Sequence, residues 1–218
     1  MKIIKSAAMV LCLAISGMAI TSYSAHAVVI ASTVYGSLVD ALPQDGIADQ
    51  LVPTFIQVFN DPAAAGQSRG IIEFDISSLS SPISSATLNL SQANSGLTNV
   101  QTFSVYGFTG DGSIGSSDYG LGSFLTSFDH QNEATEIIDI TTFINSQILL
   151  NDANHFAGIQ ITVDITPSNE SVLFANRFLP HLNPTLSVEA ATIAEPAPLA
   201  LLGLGIAGVM FARRKRAA

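Results

Sequence analysis

The chain of 218 residues carries eight basic and 17 acidic side chains, a single cysteine and no tryptophan. Six of the basic residues lie at the two ends (Lys2, Lys5, Arg213, Arg214, Lys215 and Arg216), so residues 28–193 keep only Arg69 and Arg177 against 16 carboxylates, a balance of −14. A field of that sign repels phosphate backbones and excludes nucleic acid as a partner.

The chain opens on "MKIIKSAAMVLCLAISGMAITSYSAHA", where Lys2 and Lys5 precede an apolar run from Ala7 to Ile20 and a small-x-small pattern at Ala25 and Ala27. This is the layout of a secretory signal, and it predicts export through the Sec machinery with cleavage after Ala27. Cys12 follows Leu11 inside the apolar run, which disfavours lipidation there. Cleavage removes it, and the mature chain then has no disulfide and no thiol chemistry. Residues 28–193 are long enough to form one self-sufficient domain, because a domain of ~150 residues buries roughly 70% of its unfolded surface.

Short β-type runs follow in order: "VVIASTVYGSLV", "TFIQVF", "RGIIEFDI", "ISSATLNLSQ", "NVQTFSVYGF", "ATEIIDI", "HFAGIQITVDI", "ESVLFANRF" and "PTLSVEA". They are rich in Val, Ile, Thr and Phe, and several alternate with period two. Ala86, Leu88 and Leu90 share one face, as do Ile159, Ile161, Val163 and Ile165. The intervening "LPQDGIADQ", "NDPAAAGQS", "ANSGLTN" and "GDGSIGSSDYGLG" hold the Gly, Pro, Asn and Asp of turns. One segment departs from this rhythm: in "DITTFINSQILL" Ile140, Ile144 and Ile148 recur every four residues, with Asp139 or Thr141 placed to cap. The expected architecture is an all-β antiparallel sandwich or jelly roll over residues 28–193 with one short helix, flanked by a signal peptide (1–27) and a C-terminal transmembrane sorting helix (194–218).

The order "RGIIEFDISSLSSPISSATLNLS", "FSVYGF", "IIDITTFINSQI", "AGIQI" and "FANR…NPTLSV" is similar to secreted jelly-roll domains of the carbohydrate-binding-module-like DNRLRE type, over roughly residues 51–189. The chain has no DNRLRE string, so no binding residue carries over.

Groups able to do chemistry are sparse. Asp111, Ser113, Ser116 and Asp118 supply oxygens on a chain bent by four glycines, a pattern that suits calcium, although the ordered spacing and terminal Glu of a calcium loop are missing. Asp45 and Asp49 form a weaker version. Tyr119 is the tyrosine placed to stack on a sugar ring, while Tyr35 and Tyr106 read as strand packing. His130, His155 and His181 read as loop residues without ligand spacing. An alternative reading is a glycan-active hydrolase or lyase that uses Glu73, Asp75 or Asp139. A non-catalytic role is the expectation, with calcium as the one conceivable cofactor.

The final segment is "AEPAPLALLGLGIAGVMFARRKRAA". Gly203, Gly205 and Gly208 spell the dinucleotide pattern, but no strand precedes it and only ten residues follow, so the glycines read as a close-packing helix face. Pro196 to Ala212 is a charge-free stretch of 17 residues, at the short limit for spanning a bilayer, and Arg213 to Arg216 would hold its far end in the cytoplasm. An acidic-proline motif, a short apolar helix and a basic terminus together resemble the PEP-CTERM sorting signal of Gram-negative bacteria. Glu195 and Pro196 match its second and third positions, with Ala194 in place of the first proline. The resemblance implies an exosortase as partner, a transient membrane-held intermediate, and delivery to the cell surface or extracellular matrix in association with exopolysaccharide and biofilm.

Overall fold

The computed structural model describes residues 27–191, apart from 64–65, 80–81, 133, 151–154 and 165–169. The expected signal segment, including Ala25, and the sorting segment with Glu195, Pro196 and Arg213, Arg214, Lys215 and Arg216 lie outside the described residues. Within 27–191 no helix is long and apolar enough to cross a membrane.

The β-rich runs form strands β1 (Ala27–Ala31), β2 (Val34–Asp40), β3 (Gln50–Val52), β4 (Phe55–Asp61), β5 (Gly66–Asp75), β6 (Ile83–Ser91), β7 (Asn94–Ser95) and β8 (Gln101–Gly110). They continue as β9 (Ser123–His130), β10 (Thr135–Asp139), β11 (Phe156–Val163), β12 (Val172–Asn176) and β13 (Thr185–Ala190), with helix α1 (Thr141–Leu150) between β10 and β11. Every pairing is antiparallel. One sheet has four strands in the order β1-β13-β6-β10; the other has nine, with β7-β12-β4-β5-β11-β8-β9 as its path and β2 and β3 attached through β5. The expected all-β sandwich is what the chain adopts.

The core lies between the sheets. Ala86, Leu88 and Leu90 of β6, Ile138 of β10 and Leu186 and Val188 of β13 meet Ile72 and Phe74 of β5, Phe103 and Val105 of β8, and Ile159 and Ile161 of β11. The period-two alternation read from the sequence thus selects the face that leaves water, where each buried Val, Leu, Ile or Phe contributes about 1.5–3 kcal/mol. Helix α1 begins where Asp139 accepts bonds from the Thr141 N–H (2.9 Å) and hydroxyl (2.6 Å), while the same hydroxyl accepts the Ala86 N–H (2.9 Å). Asn145 then brackets Ile83 by bonding both its N–H and its carbonyl, which ties the helix along β6. Phe143 and Ile144 are buried and Ile148 is partly so.

Several elements differ from the expectation, among them β7, which lies in the "ANSGLTN" stretch expected to be a turn. The run at 28–39 is two strands, because at Ser32 and Thr33 the chain crosses from the small sheet to the large one: Ser32 N–H bonds Pro184 and Thr33 N–H bonds Glu73. "SFLTSFDH", a run absent from the expected strands, is strand β9. Its pairing with β8 slips between Val105 and Tyr106, which stand opposite Thr126 and Phe124, and this bulge breaks the alternation by which a strand is recognised. His130 therefore ends a strand and is fully buried, with Nδ1 2.6 Å from a Glu136 carboxylate oxygen, instead of lying in a solvated loop.

Candidate functional site

The outward face of the large sheet carries a second layer. Along β5, Ser68, Gly70, Ile72 and Phe74 turn inward, whereas Gln67, Arg69, Ile71 and Glu73 alternate on the outer side. Ile71 joins Leu38, Phe108 and Tyr119 in a small outer apolar cluster, covered by the segment 111–122. That segment is pinned at three points: Gly112 N–H bonds Glu73 Oε2 at 2.7 Å, Gln160 Nε2 donates to the Asp118 carbonyl at 2.9 Å, and the Tyr119 hydroxyl donates to Gln67 Oε1 at 2.7 Å. Gly112, Gly120 and Gly122 have φ of 89°, 79° and 104°, a region that favours glycine, so the glycine-rich composition is what lets the segment lie flat on the sheet.

Beside this cover a groove of about 290 Å³ opens. Arg69, Tyr106, Leu121, Gln160, Thr162 and the carboxylate Asp164 are among its walls. Arg69 sits at its inner end, with its guanidinium carbon 4.0 Å from the centroid of the Tyr119 ring. Its Nε and Nη2 donate to Gln67 Oε1 (3.0 and 2.9 Å) and its Nη1 to Gln160 Oε1 (3.2 Å). Neutral amides therefore orient the cation. Tyr106 meets Phe124 edge to face at 5.8 Å, and Phe124 is 58% exposed, so an aromatic pair stands at one side of the opening.

Burial pushes the Tyr119 hydroxyl up to about 12, with the nearby Asp40 carboxylate adding to the rise and Arg69 opposing it. Burial likewise raises the Glu73 carboxyl above the ordinary glutamate range. The Gly112 N–H bond offsets part of that rise, and the charges of Asp111 and Asp118 add to it. Glu73 is 0% exposed and its Oε1 has no hydrogen-bond partner.

The residues singled out in the sequence fall as follows. Asp111 is exposed and accepts the N–H (2.9 Å) and hydroxyl (2.7 Å) of Ser113, which hold its carboxyl below the usual range. Asp118 is buried and accepts the Gly115 N–H at 2.8 Å. Each candidate calcium carboxylate thus closes its own turn, and among the described residues no group of three or more His, Cys, Asp or Glu side chains is placed to hold a metal ion. Asp45 and Asp49 do the same for their loop, accepting the N–H of Ile47 and of Ala41. Tyr119 is not the open stacking platform expected of it: it is 8% exposed and Arg69 covers one ring face. Tyr106, expected to be strand packing, lines the groove.

Glu73, Asp75 and Asp139 do not converge. Glu73 is sealed under the cover, Asp75 is exposed at the end of β5 and lowered by its bonds to Ser77, and Asp139 is lowered by its bonds to Thr141 at the helix start. His155 lies just before β11 and His181 in an exposed turn, each apart from His130. Ala27 heads β1 opposite Glu189 of β13.

Sequence reasoning missed Arg69, Gln67, Gln160 and Thr162. Their signal was present as polar residues at the alternate positions of β5 and β11, strands whose other face is mainly apolar. Beyond the last strand, residues 192–216 match the family model of the PEP-CTERM protein-sorting motif. No curated protein matches the chain. The match covers the acidic-proline motif, the apolar stretch and the basic terminus together, so the chain carries a PEP-CTERM protein-sorting motif and is an exosortase-sorted, exported protein.

Proposed function

We propose that the sandwich is a non-catalytic, glycan-associated component of the cell surface or extracellular matrix, made for contact with exopolysaccharide in a biofilm. The observation that carries this reading is the polar groove on the outward face of the large sheet, whose amides, hydroxyls, guanidinium and aromatic pair are the groups that bind sugar hydroxyls and ring faces. The carboxylates that a glycan hydrolase or lyase would use are engaged in helix start, turn and cover, and this supports binding over turnover. No cofactor enters the reading.

Delivery follows from the tail. After Sec export and signal removal, the apolar stretch holds the chain in the inner membrane, an exosortase cuts near Glu195 and Pro196, and the sandwich is released to the surface. Four basic residues facing the cytoplasm resist passage through hydrocarbon at ~2.5–3.5 kcal/mol each on insertion scales, so the hold lasts until the cut. Intact-mass spectrometry of surface and membrane fractions tests this. The surface form should end near residue 196, and replacing Glu195 and Pro196 by alanine should leave uncut protein in the membrane. Co-sedimentation with purified exopolysaccharide, with polymer size unchanged, tests the binding role; a fall in polymer size would overturn it in favour of an enzyme.

A further inference from the structure

We infer that the groove selects an acidic sugar, one carrying a carboxylate or a comparable anionic substituent, and that Arg69 is the residue that reads the charge. The inference rests on the glycan-associated reading and narrows it to a ligand class.

A guanidinium has five N–H donors. Three hydrogen bonds of Arg69 go to Gln67 and Gln160 and the guanidinium also bonds the Tyr119 hydroxyl, which leaves one N–H for a ligand. Arg69 forms no ion pair among the described residues, in a domain where carboxylates outnumber cations 16 to 2. Two neutral amides and the Tyr119 face hold the guanidinium, while Asp164 lines the same groove and Asp40 lies at the Tyr119 hydroxyl.

The space in front of it is also kept clear. A Cβ on Gly120 would stand 3.4 Å from Nη1, so glycine leaves that edge of the fork open to the groove. The remaining N–H and the positive charge suit a carboxylate oxygen. Thr162, on the same face of β11 as Gln160, supplies a further polar atom for ring hydroxyls, and Tyr106, packed edge to face on Phe124, supplies an apolar edge. At about 290 Å³ the groove is near the lower limit of ligand pockets, which suits one or two sugar rings of a longer polymer.

The test uses full-length protein in neutral detergent and three trisaccharides, trigalacturonate, its methyl ester and galactotriose, titrated by calorimetry. Trigalacturonate should bind roughly tenfold or more tightly than either neutral analogue, the loss expected when a charge-assisted bond is removed. Arg69→Gln should abolish that preference while Arg177→Gln, which alters the other cation of the domain, leaves it intact. Because Arg69 also packs on Tyr119, Thr162→Glu serves as a second variant: it leaves Arg69 in place and offers it a competing carboxylate from the partly buried Thr162 position in the groove wall. It should lower trigalacturonate affinity by a similar factor with an unchanged melting curve. Equal binding of charged and neutral trisaccharides would overturn the acidic-sugar inference and keep the glycan reading. Binding of none of them, together with no co-sedimentation with exopolysaccharide, would overturn both.

Discussion

Gly158 is where the outer layer of the large sheet is most easily tested. It lies in β11 between Glu73 of β5 and Phe108 of β8, its direct cross-strand partners. The ring of Phe108 folds over it so closely that a Cβ would come within 2.4 Å of two ring carbons. Its backbone is one that alanine can adopt, so Gly158→Ala should stabilise by about 0.4–1 kcal/mol through the unfolded chain if nothing else changed. The overlap opposes this. A strand paired on both sides cannot shift, Phe108 must leave the cluster of Leu38, Ile71 and Tyr119, and overpacking of this kind costs about 1–3 kcal/mol. The net expectation is a loss of about 1–2 kcal/mol, or roughly 2–8 °C in melting temperature for a domain of this size. Thermal and urea denaturation followed by circular dichroism measure it, and hydrogen exchange should show faster opening of 108–122 than of β6 and β13. Phe108→Leu placed in the Gly158→Ala background should recover part of the loss, giving a coupling of about 0.5 kcal/mol or more. A melting temperature that rises, or two effects that simply add, would refute the argument that the glycine exists to seat that ring.

Glu73 yields a pH dependence with a definite sign. Its folded-state carboxyl keeps a proton to higher pH than it does in the unfolded chain, so its contribution is fully present below the ordinary glutamate range and is lost as pH rises through the raised value. Glu73→Gln should therefore flatten the stability profile in that window and melt higher at neutral pH; parallel profiles for the two proteins would contradict the assignment. Asp75, Asp111 and Asp139, all lowered, act in the opposite sense and at lower pH, where their contributions fall away as pH drops through their folded values. Since Asp111 and Asp118 already close their own turns, melting curves with calcium and with chelator are expected to coincide, and a calcium-dependent rise would return the loop to a metal-binding role.

The two kinds of information divide along the range of the interactions. Sequence alone determined the sorting tail, the excess of carboxylates and the strand class, because each depends on composition or on residues within a few positions of one another. Ala86, Leu88 and Leu90 were legible as a buried face since period two is a local property of a strand. Asp139 and Thr141 were legible as helix starters for the same reason. Strand β9 was not, as its bulge is defined only against β8.

The groove belongs wholly to the tertiary structure. Gln67 and Arg69 meet Gln160 across some 90 residues of chain, and the Tyr119 ring that supports the cation arrives from a third segment. Tyr106 and Tyr119 exchanged their expected parts because exposure depends on long-range packing: the segment 111–122 turns its own Tyr119 onto the sheet under Arg69, while Tyr106 is left in the groove wall. His130 likewise became a core residue only when β9 and β10 brought Glu136 to its ring. Antiparallel pairing brings distant residues of the chain side by side, and the register that decides which ones meet is set by the packing of two whole sheets.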